Sequence, residues 1–209
     1  MHAGSGRQVQ DQKLMGANLK HEVSFSGLPR RLNNDSGKDA KSDLSWDKPS
    51  LRKRVLFVMD LLCGRPSMAH IQFVDPIEMG SLNWQFRGKD TPTDVLSFIP
   101  HESAAFIQGG SGRSRSSSFN LGDVVVCAEV CAEQARRHRC SLSQEIERMI
   151  VHSLVHLIGL DHERSRPSHS VMTALESSIR RQLTLEFGPA DFCDVQPRVI
   201  EKKKRGVRR

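Results

Sequence analysis

Residues 143–162, SQEIERMIVHSLVHLIGLDH, carry the pattern on which our interpretation of the chain rests. Apolar residues recur three and four apart through most of this stretch, which is the period of a helix with one buried face. Ser143 is a residue type that caps helix starts. Gly159 suits the position just after a helix end, where left-handed backbone is favoured. The sequence therefore predicts a core helix over residues 143–158.

Three histidines cluster at the end of this helix. His152 and His156 are four residues apart, so both imidazoles lie on one helix face, close enough to share an ion. The break at Gly159 lets the chain fold back and bring His162 to the same point. Three neutral nitrogens and a water make an open tetrahedral zinc site, which can activate water near neutral pH. We expect one divalent metal ion, zinc, on these three side chains.

The same spacing is similar to that of the metzincin proteases, which leaves other functions open. Those enzymes carry a glutamate directly after the first histidine as general base, and here that position is Ser153. A hydroxyl does not take a proton as a carboxylate does, so a zinc metallopeptidase-like hydrolase is the second interpretation. A third is a non-catalytic protein whose zinc is structural, which would need a fourth protein ligand such as a cysteine.

Helices and strands alternate irregularly along the rest of the chain, which predicts an α+β fold or a mixed-sheet α/β layer. The predicted strands are 23–32, 68–74, 95–99 and 121–127, and the other predicted helices are 50–62, a short one after 75–76, 129–139 and 168–187.

Composition divides the chain into three segments, the second of which contains an insertion. Residues 1–47 are polar without a sustained period, and we expect a poorly ordered N-terminal extension. A domain is predicted over 48–192, with a flexible Ser/Arg/Gly-rich insertion at 101–118. Residues 193–209 form a basic C-terminal tail.

The net charge of +7 is concentrated at the C-terminus. Six basic residues follow from Lys202 onward, and without them the chain has 25 basic and 24 acidic residues. Such a run can hold phosphates by counterion release, act as a localisation signal, or be a solvated end.

The five cysteines are an odd number without a Cys-x-x-Cys pair, which argues against a disulfide framework and against a thiolate zinc site. Buried free thiols in a reducing compartment are expected. No apolar stretch is long enough to cross a bilayer. Basic residues outnumber acidic ones in the first 21 positions, which hints at a mitochondrial or other organellar location, with the cytoplasm as the alternative.

Three stretches together resemble one known family, the YbeY endoribonucleases. They are residues 152–162, residues 86–98 (FRGKDTPTDVLSF) and residues 121–126 (LGDVVV). With Met172-x-x-x-Glu176-x-x-Ile179 downstream, the resemblance covers roughly residues 50–190. Ser153 and Leu160 replace the family's usual Gly and Tyr, and the insertion and the terminal extensions are further departures.

The resemblance implies a single α+β domain, with a mixed four-stranded sheet packed against helices and a zincin-like metal site on a central helix. It implies a single-strand-specific metal-dependent endoribonuclease that acts in rRNA maturation and ribosome quality control. In this setting, the alternative with a structural zinc is a non-catalytic zinc-containing ribosome-assembly factor. RNA and the ribosome or its small subunit are the implied partners, with no membrane and no nucleotide cofactor. The implied metal ligands are His152, His156 and His162.

The resemblance also implies that Arg87 lies near the metal as a catalytic and substrate-binding residue. A fixed guanidinium can stabilise the charge that gathers on a phosphodiester under attack. For Asp94 we expect a structural role in the turn before a strand. Because the chain has two Trp and no Tyr, we expect RNA to be held by charge and shape more than by base stacking.

Overall fold

The structure is a computed structural model that describes residues 19–33, 41–101, 103, 118–160 and 166–196. Its strands are β1 (Glu22–Ser26), β2 (Arg31–Asn33), β3 (Lys41–Trp46), β4 (Ser67–Val74), β5 (Val95–Phe98), β6 (Phe119–Cys127) and β7 (Cys193–Gln196). Its helices are α1 (Lys48–Leu62), α2 (Pro76–Arg87), α3 (Ala128–His138), α4 (Leu142–Leu157) and α5 (Arg166–Phe187).

The main sheet has four strands in the order β1-β4-β6-β5. β1 and β6 both run parallel to β4, whereas β5 pairs with β6 in the antiparallel direction. This confirms the predicted mixed four-stranded sheet in an α+β domain. β6 is buried on both faces: Val124 and Val126 pack with one core cluster, and Val125 and Cys127 pack with the other.

A second sheet of three strands, ordered β2-β3-β7, was not expected. Trp46 in β3 packs its ring edge-on against Phe73 of the main sheet, with the ring centroids 5.0 Å apart. Strands β1 and β3 lie within residues 1–47, and β7 lies within 193–209. Packed structure therefore extends beyond the predicted limits of 48–192 on both sides. The insertion at 101–118 falls almost entirely outside the described residues.

The helices cover the main sheet on two sides. The larger core cluster joins strand residues to side chains from α1, α3, α4 and α5, and the smaller one contains Met79 of α2 and Leu96 of β5. Helix α4 contributes Ile146, Ile150 and Leu154 at helical spacing, each 2% exposed or less. This burial fixes the orientation of the helix, and the histidines lie on its remaining face.

Capping residues set the helix starts. Asp47 and Asp75 accept hydrogen bonds from the backbone of the first turns of α1 and α2. Helix α4 begins with a capping box formed by Ser141 and Gln144, so the prediction that Ser143 is the cap was wrong. Ser143 is buried, and its hydroxyl accepts from the backbone N–H groups of Phe192 and Cys193.

Gly122 permits the close pairing of β5 with β6. Its φ is +124°, and a Cβ atom there would lie 2.1 Å from the carbonyl oxygen of Phe98. Only glycine avoids this clash, so the path of β5 depends on it. Within the described ranges, no helix has both the length and the apolar character needed to cross a membrane.

Candidate active site

His152 and His156 face each other on the last two turns of α4. Their Nε2 atoms are 3.1 Å apart, and their rings lie edge to face with centroids 4.5 Å apart. The helix ends just beyond them, because Gly159 takes a φ of +91°. Both rings are partly exposed, at the boundary between the core and an open cleft. The predicted i, i+4 pair therefore forms as expected.

Glu176 of α5 orients the first of these rings. Its Oε1 lies 2.8 Å from Nδ1 of His152, and the side chains are 18% and 29% exposed, respectively. Burial acts to raise the pKa of Glu176, but the hydrogen bond and the charge of His152 outweigh it and lower that pKa. A carboxylate accepting from Nδ1–H leaves the Nε2 lone pair available for ligation.

The spacing of the two Nε2 atoms fits the ligands of a tetrahedral metal ion. Two nitrogens at about 2.0–2.1 Å from such an ion lie about 3.3 Å apart, close to the 3.1 Å between the two Nε2 atoms. Among the described residues, no group of three His, Cys, Asp or Glu side chains is placed to hold a metal. His162, the third predicted ligand, falls outside the described residues.

The histidine pair opens into a cleft of about 560 Å³. Arg87, the last residue of α2, lines the same cleft and is exposed. Gly88 ends α2 in left-handed backbone with a φ of +67°. The structure thus brings Arg87 into one cavity with His152 and His156, although they are about 65 residues apart in sequence.

The segment that leads into β5 forms part of the cleft lining. Asp94 accepts hydrogen bonds through Oδ1 from the Thr93 hydroxyl and the Val95 N–H, each at 2.9 Å. Its Oδ2 accepts from the Gln134 side chain at 3.0 Å. All these acceptor sites serve the turn and its contact with α3, so the predicted structural role of Asp94 is confirmed.

Ser153 occupies the position of the glutamate base in the metzincin pattern. It is 0% exposed and does not line the cleft. Its hydroxyl is buried, with no hydrogen-bond partner in the described structure. A general base at this position would face the core, which weighs further against a peptidase.

The cysteines are free, and three of the five are buried. Burial raises the pKa of the Cys127 thiol to about 11 and that of the Cys193 thiol to about 12. Neutral, buried thiols are poor metal ligands, because the metal binds the thiolate. This fits the prediction that cysteine does not build the metal site.

Comparison with known proteins agrees with this geometry. A family model described as "Endoribonuclease YbeY" matches residues 39–184. Endoribonuclease YbeY of Thermobifida fusca is 32% identical over 150 residues, which span 70% of this chain and 94% of the relative. The protein of the same name from Laribacter hongkongensis is 31% identical over 79% of this chain and 84% of its own length. These matches place the chain in the class of hydrolases that act on RNA.

One solved structure is also similar. The solution structure of TM1509 from Thermotoga maritima covers 79% of this chain and 91% of that protein, with 21% sequence identity and a TM-score of 0.49. By the sequence matches, this chain belongs to the YbeY endoribonuclease family, as the motifs predicted.

Sequence reasoning did not assign a role to Glu176, although the residue is part of the motif in α5. Glu176 and His152 are 24 positions apart in the sequence, and only the packing of α5 against α4 reveals their contact. The signal was a glutamate on the same helix as the buried Met172 and Ile179.

Proposed function

We propose that this chain is a single-strand-specific, metal-dependent endoribonuclease that acts in rRNA maturation and ribosome quality control. The observation that carries the proposal is the pair of Nε2 atoms, 3.1 Å apart, in the same cleft as Arg87. Zinc is the proposed ion, with His162 as the third ligand. Membership of the YbeY family supports both the reaction and the ligand set.

The histidines would hold the ion through Nε2, and Glu176 fixes the ring of His152 for that task. A bound divalent ion supplies Lewis acidity to a phosphate oxygen and to the attacking water.

Arg87 would bind the non-bridging oxygens of the scissile phosphate. Within the part of the chain that the structure describes, no ion pair or hydrogen bond occupies its guanidinium. Its paired donors therefore remain available for the charge that develops in the transition state. An exposed arginine in the same cleft as the histidines suits a group that binds the substrate phosphate.

The cleft also suits unpaired bases. Phe86 is 56% exposed and lines the cleft together with Phe98, and their ring centroids are 4.8 Å apart. Aromatic faces stack bases that a duplex would keep within its own stack. This supports a single-stranded substrate. The two phenylalanines add base stacking to the contacts by charge and shape that the sequence, with few Trp and Tyr, led us to expect.

The test compares cleavage of a 5′-labelled single-stranded RNA with cleavage of the same RNA annealed to its complement. We expect cleavage of the single strand only, loss of cleavage with a chelator, and recovery when zinc is restored. The variant with His152, His156 and His162 all changed to Ala should be inactive although folded. Full activity of that variant would overturn the proposal.

The proposed setting is the small ribosomal subunit in a mitochondrion or another organelle with its own ribosomes. The six basic residues from Lys202 onward support contact with rRNA phosphates. Sucrose-gradient sedimentation of the full chain should show it with the small subunit. A fluorescent fusion should be organellar, and a purely cytoplasmic signal would overturn the location.

A further inference from the structure

Arg148 lies one helical turn before His152 on the same face of α4. The two positions are four residues apart, which is about 6 Å along the helix. Arg148 lines the same cleft as His152, His156 and Arg87. A second cation therefore lies in the cleft that holds the histidine pair.

Two partners hold the Arg148 guanidinium in place. Its Nε donates to Glu145 at 3.2 Å, and one terminal nitrogen donates to the other Glu145 oxygen and, at 3.1 Å, to Gln134. Gln134 in turn donates to Asp94 in the cleft lining. The network runs from α4 through α3 to the turn before β5, so the guanidinium is positioned before any ligand arrives.

The two halves of the Arg148–Glu145 pair differ in exposure. The Glu145 side chain is 1% exposed, whereas that of Arg148 is 33% exposed. The carboxylate is thus buried behind the guanidinium, which meets solvent. The hydrogen bond to Glu145 raises the pKa of Arg148, so the group is cationic under all working conditions.

We propose that Arg148 is a substrate-binding residue that contacts a backbone phosphate next to the scissile one. The inference rests on the proposed function, because it takes single-stranded RNA as the occupant of the cleft. Arg87 and the histidine pair would engage the scissile phosphate, and Arg148 would fix the register of the strand. A guanidinium held by a buried carboxylate loses little side-chain entropy when it binds a phosphate.

A purely structural role makes a different prediction. If Arg148 served only to neutralise the buried Glu145, its loss would lower stability but leave RNA binding unchanged. Binding and stability must therefore be measured separately on the same variants.

The experiment measures binding of a fluorescein-labelled single-stranded oligoribonucleotide to the full chain at several salt concentrations, with a chelator present so that the probe is not cleaved. In Arg148→Gln, we expect about tenfold weaker binding and a shallower slope of log K against log salt, by about 0.7. Arg137→Gln removes the same charge from an exposed side chain outside the cleft, and it should leave both quantities near wild type.

Two further variants keep the test decisive. Glu145→Gln retains the cation, so its salt slope should not become shallower even if its melting temperature falls. Arg148→Lys retains the charge and should keep the slope while losing part of the affinity, and it serves if Arg148→Gln fails to fold.

The outcomes separate the two proposals. An Arg148→Gln protein that folds and binds the probe with the wild-type slope overturns the role of Arg148 alone. A wild-type chain that binds the probe but does not cleave RNA overturns the proposed function and leaves the phosphate contact standing. A wild-type chain that shows no salt-dependent binding overturns both.

Discussion

The contact between Glu176 and His152 predicts how tightly the chain binds metal. Glu176→Gln removes the negative charge from a side chain that is 18% exposed and lies 2.8 Å from Nδ1 of the ring. A hydrogen bond to a charged group contributes about 1.5–3 kcal/mol, and 1.4 kcal/mol corresponds to a factor of ten. We therefore expect zinc to bind about 10- to 100-fold more weakly, which is the usual effect of losing such a partner.

The assay is competition for zinc against a chromophoric chelator, with the full chain. Glu186→Gln is the matched control, because Glu186 is an exposed glutamate on the same helix. Its zinc affinity should equal that of wild type. Circular dichroism should show that both variants are folded. Equal zinc affinity in Glu176→Gln and wild type would refute the reasoning that this carboxylate prepares His152 for ligation.

Three further predictions concern the fold that supports the cleft. Arg54 is 4% exposed and pairs with a carboxylate of α4 at 2.6 Å, so Arg54→Ala should lower the free energy of unfolding in urea by about 3–5 kcal/mol. Lys53→Ala, on the exposed side of the same helix, should lower it little, and equal urea midpoints for the two variants would contradict this. Gly122→Ala should lower the free energy of unfolding by about 1–3 kcal/mol, because the added Cβ would lie 2.1 Å from a carbonyl oxygen of β5. Gly64→Ala should be tolerated, because a Cβ at Gly64 would have no atom within 4 Å. Burial raises the pKa of Cys127 from 9.0 to about 11, so the folded state favours the neutral thiol. The contribution of this thiol to the free energy of unfolding is complete below pH 9 and is lost as the pH rises toward 11. Urea midpoints from pH 7 to 11 should fall more in wild type than in Cys127→Ala.

Local sequence rules predicted most of the main domain, because its elements carry strong local signals. Helix α4 lies within one residue of the predicted range, since its apolar period and its glycine stop agree. Local sequence rules could not choose between Ser141 and Ser143 as the cap of α4, because the choice depends on which hydroxyl the distant β7 segment buries. The apolar period of α5 also misleads at Val171, which lies at helical spacing from the buried Ile179 and yet is 58% exposed.

Long-range pairing was the main failure of sequence reasoning. The region Val23–Leu32 was predicted as one isolated strand, yet it contributes to two different sheets. β1 joins β4 about 45 residues later, and β3 joins β7 about 150 residues later. Polar composition masked these strands, because their stability comes from partners rather than from their own pattern.

The candidate site also has a part that the sequence could predict and a part that only the packed structure shows. The His152–His156 pair follows from helix geometry alone, so its spacing could be predicted. The placement of Arg87 required the family resemblance, and the roles of Glu176 and Arg148 required the packed helices. Contacts between helices depend on how side chains interdigitate, and no local pattern encodes them.

The central claim is that the histidine pair holds a metal with which Arg87 acts on RNA. The most direct measurement is metal content together with single-stranded RNA cleavage for wild type, His156→Ala and Arg87→Ala. We predict about one divalent ion per wild-type chain, loss of both metal and cleavage in His156→Ala, and retained metal with about 10²- to 10³-fold slower cleavage in Arg87→Ala. A folded His156→Ala protein that keeps its metal and cleaves at the wild-type rate would contradict the account.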